Sequence, residues 1–400
     1  MSADIPRFLI TGAARTSSVE LAAIIPFTEL QKRGLCQFRY LNEMAVTLRE
    51  IAWCDIMFCV RELGRAGLYY AETAKQLGRK VLGYWDDNLL AIPEYSLSYP
   101  YFSPTEVKKS LLKLVRTCDA FFTPNQKLAR ELAGIRGDEV KVLPVPLGME
   151  SISPPCPPGK GTPTVGYAGG IDHTKLVNSF LVPVLIATAA AGLDFRLHFF
   201  GTKPNCVGEI RSVETRYTAH TLDYRRYLAI AANLRWDIGL APQWQHEFTT
   251  YKFYNKLLEY TQIGCAGIYT RIEPYTLVIQ DGITGLLVPN EINAWRDAII
   301  RLIKDPELRY KIATNAYEFV MANHNRRLVA EKYAEALAPY LSYKAPKISK
   351  SYLVSGVSAE PFSKARSLWQ LALQYIRAYG FWYVLRRGPA YLMRTLLKQS

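Results

Sequence analysis

Two runs of alternating strand and helix patterns, separated by a proline-rich segment, constrain the fold of this chain most strongly. Strand-like apolar segments of the first run lie at 7–11, 55–60, 80–84, 120–123 and 140–143. After the proline-rich segment the pattern restarts, with strand-like segments at 164–167, 195–200, 238–241 and 267–270. Strands that alternate with helices form parallel sheets with helices on both faces. The sequence therefore predicts an α/β protein with two similar parallel-sheet domains that face a central cleft.

The domain boundaries follow from the proline-rich segment. Residues 151–163, SISPPCPPGKGTP, contain five prolines and two glycines, a composition typical of linkers. A chain of 400 residues is also too long for one compact core and fits two domains. We place the first domain at 1–153, a hinge at 154–163, the second domain at 164–341 and a C-terminal tail at 342–400. Ligands usually bind in the cleft between two such domains.

Composition restricts the class of protein and its expected location. Hydrophobic residues make up 49% of the chain and aromatic residues 12%, which is enough to form buried cores. The seven cysteines include no C-x-x-C pair, so we interpret them as buried apolar residues in a reducing compartment. The N-terminal residues do not form a signal-peptide pattern, and no segment reaches the roughly 18 apolar residues of a membrane span. We therefore expect a cytoplasmic protein.

The positive charge of the chain is concentrated in the C-terminal tail. Residues 341–400 contain ten lysines and arginines against one glutamate, which gives +9 of the net charge of +14. Between 362 and 398 the basic residues alternate with tryptophan, tyrosine and phenylalanine. Basic, aromatic, amphipathic helices bind anionic membrane surfaces. We predict either peripheral binding to the inner face of the cell membrane or packing of the tail on the first domain, and no nucleic-acid partner.

A group of charged residues near 252–259 indicates an anion site in the second domain. If one helix spans this segment, Lys252, Lys256 and Glu259 fall within roughly 60° of one another on its surface. Two lysines near a helix start favour a diphosphate, because the helix dipole already attracts anions there. A carboxylate further along the helix can accept hydrogen bonds from ribose hydroxyls. The alternative is a solvated helix face with scattered charges.

Six segments of the second domain, taken in order, resemble one known protein family. They are VGYAGGIDHTK at 165–175, RLHFFG at 196–201, DIGLAP at 237–242, KFYNKLLEYTQIG at 252–264, DGITGLLVPN at 281–290 and AWRDAIIRLIKDPELRYKIATNAYEFV at 294–320. Together they resemble the donor-binding domain of GT-B glycosyltransferases, in particular the glycosyl transferases group 1 (family 4-like). The resemblance implies a GT-B fold of two Rossmann-like domains and binding of a nucleotide sugar.

The resemblance also implies roles for individual residues of the donor site. Members of the family usually carry two glutamates eight positions apart, the second of which binds the ribose. Glu259 matches the second glutamate, whereas Tyr251 stands at the position of the first. Lys252 and Lys256 resemble the lysines of a divergent subgroup, and we expect them to contact the diphosphate.

Further donor contacts are expected on loops that follow strands of the second domain. Gly169 and Gly170 suit close approach of the backbone to a phosphate, although an ordinary turn would have the same sequence. His173 and Lys175 follow on the same loop, and we include His173 among the catalytic candidates. Three more residues match family loops at the nucleotide base or the donor phosphate and sugar, and these are Pro242, Glu273 and Tyr275.

The first domain offers a turn at the floor of the expected cleft. Gly12 and Arg15 lie between the first strand and the first helix, where Arg15 is placed to reach a phosphate. Ser17 and Glu20 have the spacing of a capping box, which predicts one helix through about residue 32. The turn lacks the G-x-G-x-x-G pattern, so a nicotinamide site is not supported.

An acidic pair at the end of a strand is the catalytic candidate of the first domain. Asp86, Asp87 and Asn88 follow the strand at 80–84 and are expected to face the cleft, for catalysis or acceptor binding. The alternative is a turn or helix cap. The pair is not the D-x-D motif of metal-dependent glycosyltransferases, so no metal is predicted. Because residues 1–153 contain no histidine, we expect either an aspartate of this pair or the donor phosphate to act in its place.

These features predict a glycosyltransferase that transfers a sugar from a nucleotide-sugar co-substrate to a saccharide or lipid-linked acceptor, with no cofactor. The resemblance implies retention of anomeric configuration, independence of metal and a role in surface polysaccharide or glycan biosynthesis. One alternative is a catalytically inactive GT-B binding or scaffold subunit, suggested by Tyr251 and the missing histidine. Another is a sugar-nucleotide epimerase of the same fold, which is disfavoured because the extra cleft acids and histidines of such enzymes are not found.

Overall fold

The structure is a computed structural model that describes residues 5–12, 15–61, 64–159, 161–205, 210, 213–221 and 223–348. Two six-stranded parallel sheets form its framework, with strand orders β2-β1-β3-β4-β5-β6 and β12-β11-β10-β7-β8-β9. The strands of the first sheet are β1 Arg7–Gly12, β2 Gln37–Asn42, β3 Ile56–Val60, β4 Lys80–Tyr84, β5 Ala120–Thr123 and β6 Val140–Val142. Those of the second are β7 Thr164–Gly169, β8 Arg196–Gly201, β9 Thr215–Ala219, β10 Ile238–Ala241, β11 Ala266–Thr270 and β12 Leu286–Val288. The predicted α/β class with two parallel sheets is confirmed.

Helices cover both faces of each sheet. In the first domain they are α1 Ser17–Val19, α2 Ile25–Lys32, α3 Leu48–Trp53, α4 Gly64–Gln76, α5 Tyr99–Phe102, α6 Thr105–Thr117 and α7 Gln126–Arg136. Further along the chain they are α8 Thr174–Leu176, α9 Val182–Ala189, α10 Tyr224–Ala231, α11 Glu247–Thr250, α12 Asn255–Ile263, α13 Ile292–Lys304, α14 Pro306–His324 and α15 Arg326–Leu341. None of the helices in the described part of the chain has both the length and the apolar character needed to cross a bilayer. The predicted membrane-binding tail at 362–398 lies outside the described residues.

Three strands at sheet edges, β2, β9 and β12, were not predicted. The residues of β2 and β9 are only partly buried or exposed, because an edge strand packs on fewer neighbours than a central one, whereas β12 is buried but only three residues long. The central strands β1, β3 and β11 are buried over almost their whole length. The apolar signal in the sequence is therefore strong for the central strands and weak for the edge strands β2 and β9.

The first helix of each domain is interrupted by a π-helical turn, which the sequence pattern did not predict. Residues Glu20–Ile24 separate α1 from α2, and residues Val177–Leu181 separate α8 from α9. A proline follows each π-turn, Pro26 in α2 and Pro183 in α9. Proline lacks an N–H and clashes with the preceding turn, so a helix widens or bends there. Glu20 consequently lies in the π-turn and makes no capping box, and the cap residue of α1 is Thr16.

The helix α15 returns to the first domain, although the sequence boundaries group it with the second. Its buried residues Val329, Ala330, Tyr333 and Leu337 belong to the apolar cluster of the first sheet. The Tyr333 hydroxyl donates a hydrogen bond to the Ala22 carbonyl at 2.8 Å. In a regular α-helix the N–H of residue 26 would pair with that carbonyl, but residue 26 is a proline. The tyrosine thus supplies a donor that the proline lacks.

Two crossings of the chain between the domains lie side by side. The Leu147 N–H donates to the His324 carbonyl at 2.8 Å, and a His324 ring nitrogen lies 2.8 Å from the Val145 carbonyl oxygen. Arg326 Nε donates to the Leu147 carbonyl at 3.1 Å. The segment near 145–148 therefore pairs with the start of α15, and the hinge predicted at 154–163 follows this pairing in the chain.

We predict that Tyr333→Phe destabilises the protein by about 1 kcal/mol, because it removes one buried hydrogen bond and no packing. The measurement is the free energy of unfolding in urea. Tyr343→Phe is a matched control, because the Tyr343 hydroxyl also donates to a backbone carbonyl, that of Gly78 at 2.6 Å, but on a less buried surface. Equal stability of Tyr333→Phe and the wild type would show that the hydroxyl does not contribute.

Candidate functional site

The candidate site lies where strands of the two sheets end opposite each other. In the first domain β1 ends at Gly12, and β3 and β4 run into Arg61 and the Asp86-Asp87 pair. In the second domain β7 ends at Gly169. In both sheets the strand order reverses direction beside the first strand, β1 or β7, and ligands of open α/β sheets bind at such points. Predicted site residues that are far apart in the sequence thus lie in one cleft.

The acidic pair of the first domain is held by an arginine that the sequence reasoning missed. Arg61 Nη1 lies 3.1 Å from Asp86 Oδ1 and 2.9 Å from Asp87 Oδ2. Arg61 directly follows the buried strand β3, and a charged residue at that position is the one signal in the sequence from which it could have been found. Asn88 is buried, and its Oδ1 accepts a hydrogen bond from the Leu90 N–H at 3.1 Å. Asn88 therefore caps a turn, which is the alternative left open above.

Lys252 of the second domain faces Asp87 of the first. The Lys252 Nζ lies 4.0 Å from Asp87 Oδ1. Lys252 is not on a helix, so the predicted helical face that included it is wrong, and α12 begins only at Asn255. The reason is that the Lys252 carbonyl accepts a hydrogen bond from the Asn125 side chain of the first domain, at 2.8 Å. The lysine therefore reaches the acidic pair from a turn fixed to the opposite domain.

These charges determine the protonation of the cleft. Burial alone would raise the pKa of Asp87, but the positive charges of Lys252 and Arg61 outweigh burial and lower it below 3.8. Burial, together with the positive charges of Lys252 and Lys256, lowers the pKa of His173 from its ordinary value of 6.5 to about 3. At neutral pH Asp87 is therefore an anion and His173 is uncharged.

A second group of side chains surrounds the carboxylate of Glu259. Lys256 Nζ lies 2.5 Å from Glu259 Oε2, and the Tyr227 hydroxyl donates to the same oxygen at 2.9 Å. The Tyr227 ring stacks on Phe200, with ring centroids 5.0 Å apart, and on Tyr224 at 5.7 Å. Burial and the Glu259 charge raise the pKa of Tyr227 well above 10, so its hydroxyl stays a donor. The aromatic stack thus holds the predicted ribose-binding carboxylate in place.

Glu259 and Lys256 line a cavity of about 240 Å³. The predicted glycines Gly169 and Gly170 form part of its wall, and the remaining lining residues are Thr16, Ser17, Ala168, Phe200, Gly201, His220, Thr221, Tyr224 and Tyr227. A side chain at Gly169 would overlap the Tyr167 hydroxyl, 2.3 Å from the added carbon. The absence of a side chain at Gly169 therefore leaves room for the buried Tyr167 side chain beside the cavity wall.

Other predicted residues are placed outside this cavity. The Arg15 guanidinium is engaged by Glu20, with Arg15 Nε 2.7 Å from Glu20 Oε1. Tyr275 is buried against Tyr269, with ring centroids 4.9 Å apart. Gly12 packs tightly beneath the cleft, because an added Cβ would lie 2.7 Å from Val19 Cγ2. Lys175 is exposed, Glu273 is half-buried and Pro242 is buried, and the roles predicted for these residues stay predictions.

Tyr251, which stands where the family usually has an acid, packs against the first domain. It belongs to the apolar cluster of the first sheet together with Phe248. Lys127 Nζ lies 4.9 Å from the centre of its ring, and its hydroxyl donates to Glu247 Oε1 at 3.3 Å. The position is therefore used for contact between the domains. Among the described residues, no group of histidine, cysteine, aspartate or glutamate side chains is arranged to hold a metal ion.

Two facing parallel-sheet domains with their strand ends at a common cleft define the GT-B fold of glycosyltransferases. The fold is similar to HepE from Anabaena in complex with UDP-glucose, with a TM-score of 0.59, 12% identity and coverage of 84% of this chain and 100% of that chain. It is also similar to sucrose-phosphate synthase from Thermosynechococcus elongatus, with a TM-score of 0.57, 12% identity and coverage of 84% and 99%. A glycosyltransferase from Rickettsia africae ESF-5 has a TM-score of 0.53, 16% identity and coverage of 85% and 99%.

The family assignment comes from the sequence of the second domain. Residues 162–305 match the family model of the glycosyl transferases group 1. A sequence search of curated proteins finds no match. Residues 162–305 are therefore similar to the glycosyl transferases group 1, and the chain as a whole has the two-domain GT-B fold. The family resemblance and the fold predicted from the sequence are confirmed.

We predict that Gly201→Ala destabilises the protein by more than about 2 kcal/mol. Gly201 has a φ of +100°, and an added Cβ would lie 2.1 Å from the Gly169 carbonyl oxygen, so the cavity wall must shift. Gly192→Ala is the control, because Gly192 has a φ of +69° but nothing within 4 Å of an added Cβ. We expect it to cost about 1 kcal/mol from backbone strain alone. Equal urea-unfolding free energies of the two variants would contradict this account of the cavity wall.

We also predict that His173 makes the protein less stable as the pH falls from 6.5. Its pKa is about 3 in the folded state and about 6.5 when unfolded, so the unfolded state binds more protons between these values. Burial lowers the pKa of His198, His220 and His324 as well, which adds to the same trend.

The measurement is the free energy of unfolding at pH 7 and pH 5, above the range in which aspartates titrate. His173→Asn should show a smaller loss between these pH values than the wild type. The exposed His246 provides the control variant His246→Asn. Identical losses for His173→Asn and the wild type would refute the uncharged state of His173.

Proposed function

We propose that this protein transfers a sugar from a nucleotide-sugar donor to a saccharide or lipid-linked acceptor. The observation that supports this proposal is that Lys252 faces Asp87 of the first domain while Lys256 pairs with Glu259, and that both lysines and Asp87 act on the charge of His173. Two cations at the cleft suit a diphosphate, and the cavity beside Glu259 has room for a nucleoside. HepE from Anabaena binds UDP-glucose in its crystal structure, so UDP-sugars are the first donors to test.

In the proposed reaction the donor bond between the sugar C1 and the diphosphate oxygen breaks, and its electron pair goes to the diphosphate. The acceptor hydroxyl oxygen then bonds to C1. Lys252 and Lys256 stabilise the charge that develops on the leaving diphosphate, the kind of electrostatic contribution that dominates many enzymatic rate enhancements. Because the lysines supply this positive charge, we propose a reaction that needs no metal.

The protonation of the cleft suggests where the acceptor proton goes. Asp87 has a lowered pKa and His173 a pKa of about 3, so neither is a strong base near neutral pH. We propose that Asp87 orients the acceptor hydroxyl and that an oxygen of the leaving diphosphate takes its proton. Proton transfer to the leaving group requires attack from the side on which it departs, which agrees with the retention of configuration that we propose.

A non-catalytic binding subunit is the alternative that one observation favours. Tyr251 replaces an acid of the donor site and packs on the first domain. Turnover of any nucleotide sugar would exclude this alternative.

We further propose a role in surface polysaccharide or glycan biosynthesis, in the cytoplasm or on the inner face of the cell membrane, on the basis of the basic aromatic tail at 362–398.

We predict that Lys256→Ala and Glu259→Ala each weaken the binding of the donor by at least about tenfold, because each removes a charged contact in the cavity. The measurement is isothermal calorimetry with UDP-sugars, after a screen of nucleotide sugars for thermal stabilisation identifies the ligand. Unchanged affinity in both variants would overturn the assignment of the donor site.

The chain provides a matched control for this experiment. Lys332 and Glu335 form a pair with the same spacing on α15, with Lys332 Nζ 3.0 Å from Glu335 Oε2. This pair is exposed and outside the cavity. Lys332→Ala and Glu335→Ala should therefore leave donor affinity unchanged, which separates a local loss of binding from a general effect of charge.

A further inference from the structure

Arg61 has a backbone conformation that is unfavourable for a long side chain. Its N–H continues the pairing of β3 with β4 by donating to the Tyr84 carbonyl at 3.0 Å. Its φ is +49°, the one positive φ of a non-glycine residue in the described part of the chain. Such a conformation is strained for a residue with a Cβ and persists where the surroundings enforce it, often at functional sites. Here the turn directs the arginine across the end of β4, over the acidic pair.

A single nitrogen of Arg61 contacts three side chains at the floor of the cleft. Nη1 lies 3.1 Å from Asp86 Oδ1, 2.9 Å from Asp87 Oδ2 and 3.4 Å from Ser18 Oγ. Two adjacent carboxylates repel each other, and a cation between them removes this repulsion. Arg61 therefore fixes both the charge and the direction of the pair.

Lys252, the other cation near Asp87, lies farther from the carboxylate than Arg61 does. Lys252 belongs to the second domain, and its Nζ lies 4.0 Å from Asp87 Oδ1, beyond hydrogen-bond distance. The proposed function also assigns Lys252 to the donor diphosphate, whose charge would compete with Asp87 for this lysine. Arg61, in contrast, belongs to the same sheet as the pair and lies closer to it.

We propose that Arg61 is the positioning residue of the reaction: it keeps Asp87 ionised and directed at the acceptor hydroxyl while Lys252 is engaged by the donor. The assignment of an acceptor role to Asp87 rests on the proposed function. The contacts of Arg61 with the pair are independent of it. Arg61 itself does not touch the reacting atoms in this scheme, and it acts through Asp87.

The ionisation of Asp87 depends on every charged or titratable group that faces it. These groups come from both domains, and they are Arg61, Asp86, Tyr95, His173 and Lys252. Of these, Arg61 and Lys252 are the cations, and Arg61 is the one on the first domain. Without the Arg61 charge, the adjacent carboxylates of Asp86 and Asp87 repel each other.

The first experiment needs no substrate. Asp carboxyl carbons labelled with ¹³C are followed by NMR during a pH titration of the full chain, with Asp87→Asn used to assign the signal. In Arg61→Gln we expect Asp87 to titrate at a higher pH than in the wild type, and in Arg61→Lys to titrate close to the wild type. An Asp87 titration that is the same in Arg61→Gln and the wild type would overturn the proposal.

The second experiment measures turnover of the donor found in the binding screen. We expect Arg61→Gln to lower kcat by about 10²-fold, as misplacement of a reacting group can do, with donor affinity within about twofold of the wild type. On the acid side of the pH profile, the kcat of Arg61→Gln should fall at a higher pH than that of the wild type. Adding Asp86→Asn to the Arg61→Gln variant should recover part of the lost kcat. Equal kcat and equal pH profiles of Arg61→Gln and the wild type would refute the positioning role.

Two controls separate the outcomes. Arg65→Gln removes an exposed arginine that lies 3.9 Å from Glu106 and should change neither readout. If circular dichroism shows that Arg61→Gln is unfolded, the Arg61→Lys variant replaces it. In Arg61→Lys, a wild-type titration of Asp87 together with a lowered kcat supports the positioning role. A wild-type kcat in Arg61→Lys contradicts it. Lack of turnover by the wild type would instead count against the proposed function, and the NMR result would still stand.

Discussion

The side chain of Asn125 is the contact on which the arrangement of the cleft depends. Its Oδ1 accepts from the Leu128 N–H at 2.9 Å and caps α7, while its Nδ2 donates to the Thr250 and Lys252 carbonyls at 3.1 and 2.8 Å. One buried amide thereby joins a helix of the first domain to a turn of the second. Its donors and acceptor are all satisfied within the protein, which is the condition for a buried polar group to stabilise a structure. Tyr251 lies between Thr250 and Lys252 in the chain and packs in the apolar cluster of the first sheet, so the turn that presents Lys252 has little freedom.

The charges in the cleft follow from this arrangement. Asp87 attracts Arg61 from its own sheet and Lys252 from the fixed turn. The neighbouring His173 stays uncharged because burial and the positive charges of Lys252 and Lys256 lower its pKa. Lys256 is paired with Glu259 at the opposite side of the cleft. The result is a polar floor in which anions and cations alternate across the gap between the domains. A ligand with a diphosphate would meet cations that the second domain presents and carboxylates that the first domain presents.

Much of the fold and part of the site could be predicted from the sequence. Central strands gave an apolar signal, and Lys256 and Glu259 lie on one helix as predicted, because their spacing on a helix is a local property. Lys252 was assigned to the wrong element, because its backbone is held by Asn125, more than a hundred positions earlier in the chain. Arg61 was missed for the same reason, since its partners Asp86 and Asp87 become neighbours only when β3 pairs with β4. Glu20 matched a capping box but lies in a π-turn, where the following Pro26 changes the helix.

The return of α15 to the first sheet means that the first domain is built from two separate stretches of the chain. The second domain is, in effect, an insertion whose two ends are anchored next to each other at 145–148 and 324–326. A body attached at two adjacent points turns about the line that joins them more readily than about any other axis. The cleft therefore opens mainly by rotation about this line. Cleavage of the chain at either attachment would remove this restriction on the motion while leaving both sheets intact. Residues 1–153 by themselves would also lack the helix that covers Ala22 and its apolar neighbours.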